Sequence, residues 1–103
     1  MSVNRYLPAA QFVAKTFPGI LAQLGLKPFI SRYILTETEQ GAAWLFVVLE
    51  ASAQEYLEDY AASGVMHYLS TALHGLPVVI SDSDGLRYAV LLGSPNLLKG
   101  SNS

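Results

Sequence analysis

The chain contains no cysteine. Disulfides, thiolate metal centres and cysteine nucleophiles are therefore outside its chemistry, and a reducing cytoplasm is the compartment that such usage suits. Charge is also scarce, at 14% of residues against roughly 25% in an ordinary soluble domain. The six basic residues, Arg5, Lys15, Lys27, Arg32, Arg87 and Lys99, are dispersed, and the net charge is −2. No basic run is present, which argues against autonomous nucleic-acid binding, because that draws on clustered cations facing phosphates. The longest unbroken apolar run, Ala42 to Leu49, is too short to cross a bilayer, and the N-terminus has no leader pattern. Glycine-rich phosphate loops of the Walker or dinucleotide kind are missing as well.

What the chain has in quantity is apolar surface. Hydrophobic residues make up 51% of its 103 positions, and a domain of this size buries only about 60–65% of its unfolded surface. Part of that apolar content is what a small core needs. The remainder should be exposed in patches, and patches above a few hundred Å² mark interfaces. Self-association, most simply as a homodimer, or a permanent protein partner is the expectation.

The central stretch from Ser52 to Gly75 reads as one long helix. Ser52 and Glu55 have capping-box spacing, and Glu50, Glu55, Glu58 and Asp59 suit the positive end of a helix dipole. Leu57, Ala61, Gly64, Val65, Tyr68 and Ala72 recur at helical steps as the expected buried stripe. Gly64 is the weak point: either a backbone approaches closely there or two helices meet at Ser63 and Gly64. His74 followed by Gly75 gives a left-handed stop.

Before this helix, Pro8 to Thr16 and Pro18 to Gly25 read as one bent helix or a pair, with Phe12, Val13, Phe17, Ile20, Leu21 and Leu24 on one stripe and Thr16 as a cap for the second piece. Phe29 to Thr38 and Ala42 to Glu50 form a hairpin around Glu39, Gln40 and Gly41. A two-residue turn at Gln40 and Gly41 places Ile34 opposite Val47 and Tyr33 opposite Val48. The inner strand is apolar on both faces, with Leu45, Val47 and Leu49 on one and Trp44, Phe46 and Val48 on the other. Something must then cover each side. After Gly75, Leu76 to Ser83 and Leu86 to Gly93 flank Asp84-Gly85 as a second hairpin, pairing Asp82 with Arg87, Ile80 with Ala89 and Val78 with Leu91. Pro77 belongs at a strand start or sheet edge. The expected fold is α+β over residues 1–94, with one four-stranded antiparallel sheet packed with helices, and 95–103 as a flexible tail.

Each candidate site has a plainer reading. Ser81 to Gly85 looks like half a calcium loop, but the ligand positions before and after it hold Ile80 and Leu91, which leaves a turn. His67 and His74 stand two helical turns apart, about 10 Å, too far to share a metal. Ser70 lies one turn from both, yet no nucleophile turn or oxyanion donor accompanies it. The carboxylates Glu50, Glu55, Glu58 and Asp59 read as a solvated first helical turn, and Glu37 and Glu39 as solubilising groups beside the hairpin. No catalytic residue, cofactor or metal is expected. Among the aromatics Tyr33, Trp44, Phe46, Tyr56, Tyr60 and Tyr68, those on an uncovered sheet face would form a contact surface, since aromatics concentrate at interface hot spots. Trp44, Phe46, Val48, Tyr33, Phe12 and Phe17 are the interface candidates.

In the order of its elements the chain resembles type III secretion chaperones and the hairpin, helix, hairpin domain that precedes the motor of DNA-translocating ATPases. The resemblance is one of topology and carries no residue across. The leading expectation is a non-enzymatic intracellular interaction or adaptor domain acting as a homo-oligomer through an apolar sheet or helix face. The alternatives are an accessory domain of a nucleic-acid-handling machine, such as a translocase or a phage or plasmid protein, using Lys27, Arg32 and Arg87, and a small dimer like the secretion chaperones. A small enzyme or ligand-binding domain using His67, Ser70 or His74 would need a pocket beside the C-terminal half of the central helix.

Overall fold

The computed structural model describes residues 5–80 and 86–94. It begins with a 17-residue helix, α1 (Leu7–Gln23), that runs unbroken through Pro18. The expected pair is thus a single helix, and Thr16 lies inside it rather than capping a second one. Pro8 sits in the first turn, where its missing N–H costs nothing. Ala10, Val13, Phe17, Ile20 and Leu21 form the buried stripe. Gly25, at φ 77°, ends the helix, and the Leu26 N–H returns to the Leu21 carbonyl at 2.9 Å.

Two hairpins build the sheet. β1 (Ile30–Glu37) pairs antiparallel with β2 (Ala43–Leu49), and β3 (Val78–Ile80) pairs antiparallel with β4 (Arg87–Gly93). β2 and β4 join the hairpins, giving the order β1-β2-β4-β3. Pro77 precedes the short edge strand β3, as expected of a residue that cannot donate to a ladder.

Both registers differ by one residue from a two-residue turn. Tyr33 lies opposite Val47 and Ile34 opposite Phe46. The reason is a three-residue loop: Gly41 takes φ 87°, its N–H donates to the Thr38 carbonyl at 2.9 Å, and the Ala42 N–H donates to the Thr38 hydroxyl at 3.1 Å. In the second hairpin Ile80 pairs with Tyr88 and Val78 with Val90, in place of Ala89 and Leu91. The turn at Asp84-Gly85, its Asp82–Arg87 pair and the half calcium loop lie outside the described residues, as does the expected tail. A one-residue slip exchanges the faces of a strand. Tyr33 and Leu35 therefore face the same side as Leu45 and Val47.

The central helix is broken. Ala51–Tyr56 is a 3₁₀ segment, α2 (Leu57–Tyr60) is one turn, and α3 (Ser63–Ala72) follows after an extended Ala62. Ser52 makes no capping bond, because the chain enters the 3₁₀ turn one residue earlier, with the Ala53 N–H on the Glu50 carbonyl at 2.9 Å. The break resets the helical phase. The buried residues are Ala53, Tyr60, Leu69 and Leu73, while Ala61, Gly64 and Tyr68 of the expected stripe are exposed. Gly64 meets no close backbone, so two helices meeting is the correct alternative. α3 ends on His74 at φ 60° and Gly75 at φ 82°, with the Gly75 N–H on the Ser70 carbonyl at 2.7 Å.

One core holds these pieces together. Val13, Phe17, Ile20 and Leu21 of α1 and Leu69 and Leu73 of the α3 region pack on Leu45, Val47, Leu49, Tyr88 and Val90 of the sheet. Each such side chain contributes about 1.5–3 kcal/mol through its removal from water.

Candidate functional site

The sheet has a covered and an open face. Alternation along β2 sends Ala43, Leu45, Val47 and Leu49 into the core, each at most 4% exposed, and leaves Trp44, Phe46 and Val48 on the other side. The core cluster that α1 and α3 complete contains none of these three, so no described helix packs on that side.

Cross-strand pairing arranges the open face in three rows. Thr36, Trp44 and Leu91 form one end. Ile34, Phe46, Ala89 and Val79 form the middle. Arg32, Val48 and Arg87 form the other end. Val79 is 46% exposed. The Arg87 guanidinium lies over the Phe46 ring, 4.8 Å from its centroid, a cation–π geometry. The face therefore carries Trp44 and Phe46 at one end and the middle, with Arg32 and Arg87 rooted at the other end and the Arg87 guanidinium reaching back over Phe46.

The interface candidates divide between the two sides. Trp44, Phe46 and Val48 stand together on the open face. Phe17 is fully buried in the core, and Tyr33 is half-buried on the α1 side, where its hydroxyl donates to the Ala14 carbonyl at 3.1 Å, so neither stands on the open face. Phe12 stacks on His74, centroids 4.9 Å apart, away from the sheet's open face. Of the three cations considered together, Arg32 and Arg87 share a row; Lys27 lies elsewhere, in the loop after α1. Ile34, Val79, Ala89 and Leu91 complete the face and were missed: the two-residue-turn register turned Ile34 to the covered side, and the sequence did not specify that β2 pairs with β4, which places the other three. Gly41 as the third residue of the loop was the signal that could have found Ile34.

A concavity of about 250 Å³ opens between the α1–β1 loop and the α2 region, lined by Gly25, Leu26, Lys27, Phe29, Tyr56, Asp59 and Tyr60. Phe29 and Tyr56 stack across it at 6.2 Å. The Tyr60 hydroxyl donates to the Lys27 carbonyl in its wall. A second, apolar groove runs between α1 and β1 past Leu7, Ala10, Ala14 and Leu35. Neither brings a nucleophile to a base. His67 and His74 are exposed, and among the described residues no hydrogen bond joins Ser70 to either. Nor does any group of three His, Asp or Glu among the described residues converge as metal ligands would.

The groups whose acidity departs from the ordinary are tyrosines of the covered side. Burial raises Tyr88 strongly, with the Tyr60 phenol adding to it. Burial also raises Tyr60, with Tyr56 and Asp59 adding and a backbone hydrogen bond opposing, and burial alone raises Tyr33. These are phenols held neutral in a packed core, which is a structural role.

No helix among the described residues is long and apolar enough to cross a membrane. No protein-family model matches the chain, and no curated protein or solved structure matches it either.

Proposed function

We propose that this chain is a non-enzymatic protein-interaction module that self-associates through the open face of its sheet. One observation carries the reading: Trp44, Phe46, Val48, Ile34, Val79 and Leu91 stand together on the side of the sheet that no described helix covers. Strand spacing and rise give that face a footprint on the order of 400 Å², within the range of the largest apolar patch of an ordinary monomer, which is often functional. It is smaller than the ~800 Å² per partner of a standard stable interface. A dimer that dissociates on dilution is therefore expected rather than a permanent one.

Light scattering across a concentration series from about 1 μM to 1 mM tests this, a range chosen for a weak interface. The mass should climb from 11.1 kDa toward twice that value, and Trp44→Glu should hold it at the monomer. A mass that stays at one chain throughout would sink the proposal.

A second reading rests on the Arg32, Val48, Arg87 row beside Trp44 and Phe46. Aromatic side chains and guanidiniums on one sheet face can stack bases and meet phosphates. The net charge of −2 and the dominance of aliphatic side chains around the two aromatics weigh against it. Salt-dependent binding of a single-stranded oligonucleotide would favour this reading over self-association.

A further inference from the structure

Beyond self-association, we infer that the outer edge of β1 is a second docking site, which takes an extended segment of another protein as an added antiparallel strand. β1 and β3 are the two edges of the sheet. β3 is three residues long and follows Pro77, both of which blunt an exposed edge. β1 is eight residues long, contains no proline, and among the described residues pairs only with β2.

The hairpin loop fixes which backbone groups of β1 are free. The Thr38 N–H donates to the Ala42 carbonyl at 2.8 Å. Bonded and non-bonded pairs alternate along an antiparallel ladder, so Thr36, Ile34 and Arg32 bond to β2, while the N–H and C=O of Glu37, Leu35 and Tyr33 point outward. On the far side of β2 the Leu49 N–H donates to the Leu86 carbonyl at 2.8 Å, the parity that this alternation requires. The side chains of Tyr33 and Leu35 meanwhile line the apolar groove, about 200 Å³, against Leu7, Ala10 and Ala14 of α1, and Leu7 is 45% exposed. Residues of an added strand that exchange bonds with Tyr33 and Leu35 project to the same side, into that groove. A free main-chain edge and an apolar groove lined by the same residues are the two parts of recognition by strand addition.

Charge sets the direction and sequence of the occupant. Arg32 is exposed near one end of β1, and Glu37 stands at the other. An antiparallel segment that satisfies both reads, from its N-terminus, basic, any, apolar, any, apolar, acidic. Its basic residue lies opposite Glu37, its apolar residues opposite Leu35 and Tyr33, and its acidic residue opposite Arg32.

The probe is the capped peptide Lys-Thr-Val-Thr-Val-Glu, titrated into isotope-labelled protein up to about 5 mM, a range suited to a weak contact, with amide NMR as the readout. Trp44→Glu serves as the host if self-association crowds the spectrum. The amides of Tyr33, Leu35 and Glu37 should shift and gain protection from solvent exchange, and those of Ala10 and Ala14 should shift, while Val79 stays unchanged. N-methylation of the first valine, which removes the N–H facing Leu35, should abolish binding. N-methylation of the second threonine, whose N–H points away from β1, should leave it. Exchanging the terminal Lys and Glu of the peptide should weaken binding about three- to tenfold at low salt. No shift over the titration, shifts confined to the open face, or equal effects of the two N-methyl groups would overturn the inference. If Trp44→Glu protein without peptide protects the same three amides as its concentration rises, the occupant is a second copy, which equally overturns it. The open-face reading is judged separately, by the concentration series on the wild-type chain.

Discussion

The Tyr33 hydroxyl donates at 3.1 Å to the backbone carbonyl of Ala14, the carbonyl that Pro18, four residues on, cannot serve. A helix interior normally fills each carbonyl with the N–H of residue i+4, and proline has none. A strand residue thus repairs a helix defect, which explains how α1 continues through Pro18 and fixes its position over β1. Two further tyrosines act similarly. The Tyr88 hydroxyl donates at 2.6 Å to the carbonyl of Tyr60, where α2 stops, and the Tyr60 hydroxyl reaches the Lys27 carbonyl in the loop after α1.

Tyr33→Phe should lower stability by about 1–2 kcal/mol, the cost of leaving a partly buried carbonyl unpaired. In a Pro18→Ala background the helix supplies its own donor to Ala14, and the same substitution should cost less than about 0.5 kcal/mol. A double-mutant cycle in urea measures the difference. Equal costs in both backgrounds would mean that Tyr33 acts through packing alone.

Tyr88→Phe should cost about 1–3 kcal/mol, because both the tyrosine and the carbonyl it serves are buried. The substitution keeps the ring, including its contact with Phe17 at 5.3 Å. Chemical denaturation gives the value, and a loss well below this range would show that the Tyr60 carbonyl finds another donor.

Alkali should unfold the domain through the same phenols. Tyr88, Tyr60 and Tyr33 are all raised above 10.0, burial being the largest cause in each. The unfolded chain loses these protons near pH 10 while the native state keeps them, so it binds fewer protons and stability falls as pH rises above about 10. For Tyr88 the slope approaches about 1.4 kcal/mol per pH unit until its folded value is reached. Stability below pH 9 should be insensitive to these groups. Unfolding followed against pH by near-ultraviolet absorbance should show a shallower alkaline decline in Tyr88→Phe.

Gly41→Ala should cost about 1–2 kcal/mol, since φ 87° is a left-handed conformation that a Cβ resists. Gly41→Asn should cost less, because asparagine tolerates that region better. Thermal melts of the two variants give the comparison, and equal, negligible effects would mean that the loop does not need three residues.

The parts legible in the sequence were those set by local pattern. The α1 stripe of Val13, Phe17, Ile20 and Leu21, the two faces of β2 and the stops at Gly25 and Gly75 all follow from periodicity and glycine. The register was less accessible, because Glu39-Gln40-Gly41 accommodates both a two- and a three-residue turn, and one residue exchanges the faces of β1. The break between Tyr60 and Ser63 had one local signal, Gly64, which left open whether a backbone approaches or two helices meet. Alanine favours helix, and the interruption coincides with long-range bonds made by Tyr60 and Tyr88, which only tertiary structure brings together. The open face combined both problems: Trp44, Phe46 and Val48 were visible by alternation, whereas the neighbours that complete it depended on the register.

The strongest test of that face compares two adjacent valines. Val47 is fully buried against the helices and Val48 stands on the open side between Arg32 and Arg87. Threonine has nearly the shape of valine but adds a hydroxyl. At Val47 that hydroxyl enters the core without a partner and should cost about 1–3 kcal/mol in denaturation. At Val48 it remains at the surface of a single chain, and stability should change by no more than about 0.5 kcal/mol. In the self-association proposed above, however, Val48 belongs to the face that is covered, so Val48→Thr should weaken association while Val47→Thr leaves the association of the folded protein unchanged. Denaturation and light scattering on the two variants therefore read different faces of one strand. If Val48→Thr lost stability as Val47→Thr does at a concentration where the chain is monomeric, the open face would be part of the fold of a single chain.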